Sequence, residues 1–384
     1  MENNILKNGF LSAKRWIWVI LGIFSVVLKM IADAFPNQVE IFYSRGLYTY
    51  IRKFWDISFA YSPIPLFPLF WIGILFFLYR LIRVWTRKNV PNVQKRQDFI
   101  HKLLSAIGIL ITGFYFLWGF NYSRPLFTKQ IGLKILKIDS LQLRQELEIA
   151  AREMIDLKQK ISNNALDSNL HNFKYKFLND SNSIIYKIKC TFPEDLEQQI
   201  RADVTRVLNE YKFPAGGKLR GRSLKPNGIL RRFGATGVYW PWAGECNMDN
   251  SLHPLDKPFT LAHELSHGYG WADEGTCNFL AYLSCRKSTS LYVQYAGYIN
   301  YYRYVASNYK RLNPVLYDAF RKTIPEAIRQ DLDALNANSK LYPEWFDTSF
   351  IYEKYLKSQG VKEGLSSYSR IVLMVHAWRK FANT

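Results

Sequence analysis

The sequence predicts a mainly α (α+β) fold, in which N-terminal transmembrane helices precede a helical domain with a small β-sheet. Two observations support this prediction. The long apolar blocks of the 384-residue chain all lie before residue 121. The remaining residues show the mixed apolar spacing of a globular helical domain. We therefore expect a membrane anchor over residues 1–122 and an extracytoplasmic domain over residues 123–384.

Three apolar blocks predict transmembrane helices at about residues 16–35, 64–82 and 103–120. Each has close to the roughly 17–25 residues that span a hydrocarbon core. Lys29 and Asp33 lie near the outer end of the first block, where charged side chains can reach the interface. The second block has several prolines near its start, whereas the third contains no charged residue.

The charges that flank these blocks predict their orientation. Basic residues dominate residues 7–15 and 80–102, whereas the loop between the first two blocks is balanced in charge. Because cytoplasmic loops carry an excess of Lys and Arg, we expect the N-terminus and the second loop in the cytoplasm. The C-terminal domain then lies outside the cell, although the basic residues between 124 and 137 oppose this orientation.

The net charge of +20 raises the question of nucleic-acid binding. Part of the excess flanks the apolar blocks, and a further basic run extends from Lys212 to Arg232 without an acidic residue. Such a run is typical of a solvated face, and it also suits contact with anionic lipid headgroups or an acidic substrate. We expect the lipid bilayer as a partner of the chain, and no nucleic acid.

Apolar periodicity and capping signals predict the elements of the domain. Helices are expected at residues 140–161, 193–211, 259–269, 274–286, 290–309, 325–335 and 366–381. A loop is expected over residues 163–183. Residues 216–242 are rich in glycine and in β-forming residues, which predicts two or three short strands.

One short motif carries the chemistry of the predicted site. His263, Glu264 and His267 form an HExxH sequence, and residues four apart share one face of a helix. Both imidazoles can therefore bind one zinc ion, and Glu264 is placed to act as the general base. Pro258 before the motif and Gly270 after it mark the expected ends of this helix.

A catalytic zinc site needs a third protein ligand, and two neighbouring carboxylates qualify. Asp273 follows Gly270 in the pattern HExxHxxGxxD, in which a glycine turn brings the third ligand back to the metal. Glu274 opens the next predicted helix, and Asn278 would share its face and orient a ligand imidazole. We favour Glu274 as the ligand and Asp273 as the helix N-cap, with Asp273 as the alternative ligand.

These residues and three further motifs resemble a bacterial membrane family, domain of unknown function 3810. The motifs are WGFNYSRP at residues 118–125, GVYWPWAGECN at 237–247, PFTLAHELSH at 258–267 and EGTCNF at 274–279. The resemblance covers most of the chain. Members of the family look like zinc metallopeptidases with N-terminal transmembrane helices, which implies a zincin-like C-terminal domain here.

The resemblance also implies roles for individual residues. It assigns metal-ligand roles to His263, His267 and Glu274 and the base role to Glu264. The family usually has Glu-x-Glu-Ala-Asn-Phe in the last motif, and Thr276 with Cys277 replaces the second Glu and the Ala here. Residue 276 therefore cannot supply an additional carboxylate, whereas the residues of the predicted metal site are all present.

Other residues are candidates for the substrate cleft. Tyr239 lies in residues 238–242, which could pair with an extended peptide as the edge of a sheet or form a plain core strand. Glu245 is either a cleft residue or a surface turn residue. Oxyanion stabilisation usually requires Tyr, His or Arg, and the sequence does not decide among Tyr298, Tyr301, Tyr368 and Arg370.

Together these observations predict a membrane-anchored zinc metallopeptidase. Zinc would polarise a peptide carbonyl, and Glu264 would take a proton from the attacking water. The expected partners are a peptide or protein substrate and the bilayer. The alternative is a zinc-binding membrane sensor or scaffold without catalytic activity.

Overall fold

The computed structural model describes residues 13–59, 61–163, 195–360 and 370–382. The chain divides into unit 1, which is Met1–Arg124 with Trp240–Glu245, and unit 2, which is Pro125–Tyr239 with Cys246–Thr384. The predicted loop over residues 163–183 falls almost entirely outside the described residues. Within the described residues, the predicted mainly helical fold with a small β-sheet is confirmed.

The Met1–Arg124 part of unit 1 is helical wherever it is described, apart from the short connections between its helices. Its elements are α1 (Ala13–Ala34), α2 (Pro36–Gln38), a π-helix (Val39–Leu47), α3 (Tyr48–Phe59), α4 (Leu66–Ile82), α5 (Asn92–Leu117) and a 3-10 helix (Gly119–Ser123). α1 packs against α5. Between the first two apolar blocks, where the sequence indicated a loop, the chain forms α2, the π-helix and α3.

Two helices of unit 1 are long and apolar enough to cross a membrane, Arg15–Ala34 and Asn92–Leu117. α4 is equally apolar but has only 17 residues. In the most apolar 18-residue stretch of the two long helices, only 17% and 6% of the residues are buried. Side chains such as Met30 of α1 and Phe76 of α4 are exposed. Two of the three predicted spans thus have the length and composition of a transmembrane helix, and α4 is a shorter apolar helix.

Ion pairs hold the segment that follows α5. Arg124 donates two hydrogen bonds of 2.8 Å to the two carboxylate oxygens of Glu40 in the π-helix. Ser123 donates to Asp33 Oδ1 at 2.7 Å, and the same carboxylate pairs with Lys29 Nζ at 2.6 Å. Because a buried charge is tolerated only with a partner of opposite sign, these pairs fix the chain where it leaves the apolar helices.

Residues 240–245 belong to unit 1, where they take part in an aromatic cluster. Trp240 packs edge-on against Phe67 and Phe70 of α4, with ring centroids 4.9 and 5.0 Å apart. Trp242 lies 5.3 Å from Phe70. Edge-on and tilted aromatic pairs at these distances are favourable beyond the area that they bury.

Unit 2 contains a three-stranded sheet, ten α-helices and one 3-10 helix among its described residues. Its elements are α6 (Phe127–Gln130), α7 (Ser140–Asn163), α8 (Leu196–Glu210), β1 (Arg220–Leu224), a 3-10 helix (Arg231–Phe233), β2 (Gly237–Trp240), β3 (Glu245–Asp249), α9 (Lys257–Gly268), α10 (Glu274–Arg286), α11 (Leu291–Leu312), α12 (Pro314–Thr323), α13 (Glu326–Lys340), α14 (Ser349–Ser358) and α15 (Ile371–Ala382). The strand order is β1-β3-β2, so that β2 is an edge of the sheet. The predicted helices are present, whereas α6, the 3-10 helix, β3, α12 and α14 were not predicted.

The core of unit 2 is built around α9 and α10. These helices pack against each other and against α8 and α11, and both are buried along nearly their whole length. A helix that is buried on all sides is normally apolar, yet α9 buries His263, Glu264 and His267. Buried ionisable groups are costly without partners, so the fold must supply partners to these three side chains.

Gly108→Ala is expected to destabilise unit 1. A Cβ at Gly22 of α1 would lie 2.8 Å from Gly108 Cα, and a Cβ at Gly108 of α5 would overlap the carbonyl oxygen of Trp18. Overpacking of this kind costs about 1–3 kcal/mol, so the thermal unfolding midpoint in detergent should fall. Gly73→Ala in α4 is the matched control, because a Cβ there meets nothing within 4 Å. An unchanged midpoint for Gly108→Ala would contradict this close helix crossing.

Candidate metal centre

The turn between α9 and α10 brings the ends of these helices together. α9 ends in a Schellman motif: Trp271 N donates to Ser266 O at 3.2 Å, and Gly270 N donates to His267 O at 2.9 Å. Gly270 has φ of +87°, a left-handed conformation that glycine adopts without strain. Asp273 then caps the N-terminus of α10 by accepting from the Thr276 backbone N–H at 2.7 Å.

Three ligand atoms converge between these helices. His263 Nε2 and His267 Nε2 are 3.0 Å apart. Glu274 Oε2 lies 3.1 Å from the first nitrogen and 3.3 Å from the second. Two ligands at about 2.0–2.1 Å from a tetrahedral metal lie roughly 3.3 Å from each other. The triangle of atoms is therefore close to the size that one bound metal ion requires.

The hydrogen bonds of the imidazoles leave their Nε2 atoms as acceptors. His267 Nδ1 donates to the carbonyl oxygen of Trp271 at 2.7 Å, and His263 Nδ1 donates to Asn278 Oδ1 at 2.8 Å. A neutral imidazole has one N–H, so each Nε2 presents a lone pair. Glu274 Oε2 is buried, and the two Nε2 atoms lie 3.1 and 3.3 Å from it.

With both imidazoles neutral, three acceptor atoms face one another. Such an arrangement repels unless a proton or a metal cation lies among the three atoms. Two imidazoles and one carboxylate form a donor set that suits a divalent metal. The group formed by His263, His267 and Glu274 can thus hold a metal ion, and each imidazole has the second hydrogen-bond partner that metal-binding histidines usually have.

The charges around the group also favour a positive species within it. Burial acts to raise the pKa of Glu274, but His267 and His263 outweigh burial and hold this pKa well below its usual value. Burial acts to lower the pKa of His267, but the negative charge of Glu274 acts in the opposite direction, and the pKa of His267 is raised. Glu274 is therefore an ionised carboxylate, and its surroundings stabilise a cation beside it.

Glu264 lies next to the three ligand atoms but is not one of the grouped residues. Burial raises the pKa of its carboxyl group, while a hydrogen bond from the backbone of Tyr239 acts in the opposite direction. Gly237 of β2 borders the carboxylate so closely that a Cβ there would lie 2.5 Å from Glu264 Oε1. The edge strand thus confines this carboxylate beside the candidate metal group.

Both carboxylate oxygens of Asp273 accept hydrogen bonds from groups other than the two imidazoles. Its Oδ2 atom accepts from both the backbone N–H and the hydroxyl of Thr276, each at 2.7 Å. Its Oδ1 atom accepts from Arg370 at 3.1 Å. The structure therefore brings Glu274 to the two imidazoles and places Asp273 as the helix N-cap.

Tyr352 contacts the group although the sequence gave no signal for it. Its hydroxyl donates to Glu274 Oε1 at 2.8 Å. Cys277 also reaches the group, with Sγ 3.3 Å from His267 Nδ1. Cys277 is fully buried, and burial raises the pKa of its thiol to about 12, so this group is a neutral thiol.

The remaining cleft candidates have other surroundings. The ring of Tyr239 is buried, and its backbone N–H donates a hydrogen bond to the carboxylate of Glu264. Glu245 is fully buried, and its Oε2 atom accepts the backbone N–H of Leu66 at 3.3 Å at the start of α4. A carboxylate at a helix N-terminus is favoured by the unpaired N–H groups there.

The other predicted oxyanion donors do not share one location. Tyr301 donates to Glu146 at 3.0 Å. Tyr298 packs edge-on against Tyr282, with ring centroids 6.0 Å apart. These contacts belong to the packing of α11 against α7 and α10, whereas Tyr368 lies outside the described residues.

The basic run at residues 212–232 is divided between surface and interior. Lys212 and Lys225 are exposed, whereas Arg220 and Arg231 are buried. Lipid contact through the run stays a prediction for its exposed members.

A cavity of about 420 Å³ is lined in part by residues of α9 and α11. Thr260 is one of them, and it lies one turn before His263 and Glu264 on the same face of α9. Tyr304 is another, and it hydrogen-bonds Asn278, the partner of His263. The cavity therefore lies one turn of α9 from the candidate metal group, whose three residues are not among its lining residues.

Fold and site together define a mainly helical protein with two apolar helices and a buried two-histidine, one-glutamate group. A family model described as "Protein of unknown function (DUF3810)" matches residues 43–375, and the chain belongs to this family. The family that the motifs predicted is thus confirmed. No curated protein and no solved structure matches the chain.

Substitution of the two neighbouring carboxylates should separate their roles. Glu274→Gln is expected to lose bound metal, because it removes the anionic ligand. Asp273→Ala is expected to keep the metal and lose about 0.5–2 kcal/mol of stability, because it removes an N-cap. Elemental analysis after dialysis measures the metal, and thermal unfolding measures the stability. Metal loss in Asp273→Ala together with metal retention in Glu274→Gln would reverse the assignment.

Proposed function

We propose that this protein is a membrane-anchored, zinc-dependent metallopeptidase with a zincin-like catalytic domain. The observation that carries the proposal is the convergence of His263, His267 and Glu274, with Glu264 held beside them. The ligand atoms lie 3.0–3.3 Å apart. Peptide hydrolysis by the zincin mechanism needs three protein ligands and a carboxylate base, and these four residues supply that set.

Zinc is the metal that best suits this group. It prefers nitrogen and carboxylate ligands in tetrahedral geometry, and three protein ligands leave one coordination position open. A bound zinc ion would supply Lewis-acid polarisation of a carbonyl and a lowered pKa for a water molecule. Among the described residues, no fourth His, Cys, Asp or Glu joins the group.

Glu264 performs the proton transfers in this proposal. Its carboxylate accepts the proton of the attacking water and later returns it to the leaving amine. The residue is on the same helix as both imidazoles, and the Tyr239 backbone and Gly237 confine its carboxylate. A base held in one orientation can transfer a proton without a large rearrangement of its surroundings.

The sheet and the cavity offer places for a peptide substrate. β2 is an edge strand that begins at Gly237, next to Glu264. An edge strand has unpaired backbone groups that an extended peptide can use. The cavity could receive a substrate side chain, because Thr260 in its lining is one helical turn before His263 and Glu264.

The membrane anchor rests on the apolar helices of unit 1. The exposed apolar surfaces of α1 and α5 suit lipid, and we propose that α4 completes a three-span anchor despite its length. The flanking basic residues favour a cytoplasmic N-terminus and an extracytoplasmic catalytic domain.

A zinc-binding sensor or scaffold is the alternative. A purely structural zinc site usually has four protein ligands, whereas a catalytic site has three and an open position. The three-residue group and the adjacent Glu264 therefore favour catalysis.

Glu264→Gln tests the catalytic role directly. The variant should retain zinc, because the residue is not a ligand, and cleavage of a proteome-derived peptide library should fall by about 10²–10⁴-fold. Mass spectrometry of the library measures cleavage, and elemental analysis measures zinc. Undiminished cleavage by Glu264→Gln would remove the mechanism, and zinc-loaded wild-type protein that cleaves no peptide would support the scaffold alternative.

Gly237→Ala offers a second test that leaves every ligand and the base in the sequence. The added Cβ would displace the carboxylate of Glu264, so we expect retained zinc and a loss in kcat. Gly216→Ala is the matched control, because its Cβ meets nothing within 4 Å. Equal kcat values for the two glycine variants would argue against a confined base.

A further inference from the structure

Glu274 uses its two carboxylate oxygens for different partners. Oε2 faces His263 and His267, whereas Oε1 accepts a 2.8 Å hydrogen bond from the Tyr352 hydroxyl. Glu274 is 3% exposed, so little water is available to replace this hydroxyl. The side chain of Tyr352 therefore controls one of the two oxygens that a metal could bind.

We propose that Tyr352 is a positioning residue that holds Glu274 as a one-oxygen metal ligand. The proposal rests on the proposed metal site and adds a residue from a distant part of the chain. A carboxylate can bind a metal through one oxygen or through both. A donor on Oε1 fixes the plane of the carboxylate and engages that oxygen, which leaves Oε2 for the metal.

The other ligands show why Glu274 needs such a partner. His263 is oriented by Asn278, and His267 is oriented by the Trp271 carbonyl. With Tyr352, each of the three ligands has a second group that fixes its direction. The adjacent Asp273 cannot substitute for Tyr352, since it is itself a carboxylate acceptor.

α14 is anchored well enough to place this hydroxyl. Leu356, one turn after Tyr352, is fully buried, and Thr348, which precedes α14, donates to the backbone oxygen of Phe233 at 3.4 Å. Ordered packing around the donor limits the entropy that its hydrogen bond would otherwise cost. The third ligand is thus oriented by a helix 78 residues further along the chain.

Tyr352→Phe in the full-length protein tests the proposal, because it removes one hydroxyl and keeps the ring. Competition with a zinc chelator should show a loss of zinc affinity of about 10- to 100-fold. Tyr355→Phe is the matched control. Tyr355 is on the same helix, and its ring stacks on Tyr352 with centroids 6.0 Å apart. The control should bind zinc as the wild type does.

Replacement of zinc by Co²⁺ gives a spectrum that a loss of packing alone would not change. Loss of the hydrogen bond frees Oε1 to join the metal, which raises the coordination number, and the visible d–d bands of Co²⁺ weaken as coordination exceeds four. We expect weaker bands in Tyr352→Phe and wild-type bands in Tyr355→Phe. Circular dichroism confirms that both variants are folded.

Each outcome bears on a different claim. Wild-type zinc affinity and a wild-type Co²⁺ spectrum in Tyr352→Phe would overturn the positioning role and leave the metal site intact. Equal losses in both tyrosine variants would show that α14 acts by packing alone, and would overturn it as well. If the wild-type protein binds neither zinc nor Co²⁺, the proposed function itself fails.

Discussion

Three buried acceptor atoms, 3.0–3.3 Å from one another, impose the constraint on which the rest of unit 2 depends. Lone pairs at this separation are stable in a protein interior only when a proton or a metal cation lies among them. The turn between α9 and α10 brings these three atoms together. The left-handed Gly270 turns the chain back, and the cap at Asp273 starts α10 so that Glu274 faces the imidazoles.

Much of the helical structure could be predicted because local signals agree with the final packing. α10 is the clearest example: its predicted limits, Glu274 and Arg286, are those observed, since a capping residue and an N-terminal acid mark its start. β3 gave no such signal. Its sequence lacks β-branched and aromatic residues, and it is a strand because it lies between β1 and β2.

Exposed and membrane-type helices were harder to delimit for another reason. α14 exposes Phe350 and Ile351, so its apolar residues do not mark one core-facing side. α5 begins at Asn92 rather than at residue 103, because hydropathy detects the apolar part of a helix and not its polar first turns. Helix formation needs hydrogen bonds, which polar residues make equally well.

In the candidate site, contacts between residues close in sequence could be predicted, whereas contacts between distant residues could not. The HExxH spacing alone places two imidazoles on one face, and Glu274 with Asn278 follows from the next helix. The contacts of Tyr352 with Glu274 and of Arg370 with Asp273 join residues 78 and 97 positions apart. Helical periodicity carries no information about contacts over such distances, so a single sequence could not reveal them.

The departure of this chain from its family pattern also has a physical explanation. Thr276 stands where the family usually has Glu, and its hydroxyl donates to Asp273 Oδ2 at 2.7 Å, which strengthens the cap of α10. Cys277 replaces Ala, and its thiol donates to the Trp271 carbonyl at 3.3 Å beside His267. Trp271 O thus accepts from two side chains that flank the metal group. Both replacements support the turn that brings His263, His267 and Glu274 together, and neither adds a residue to the candidate metal group.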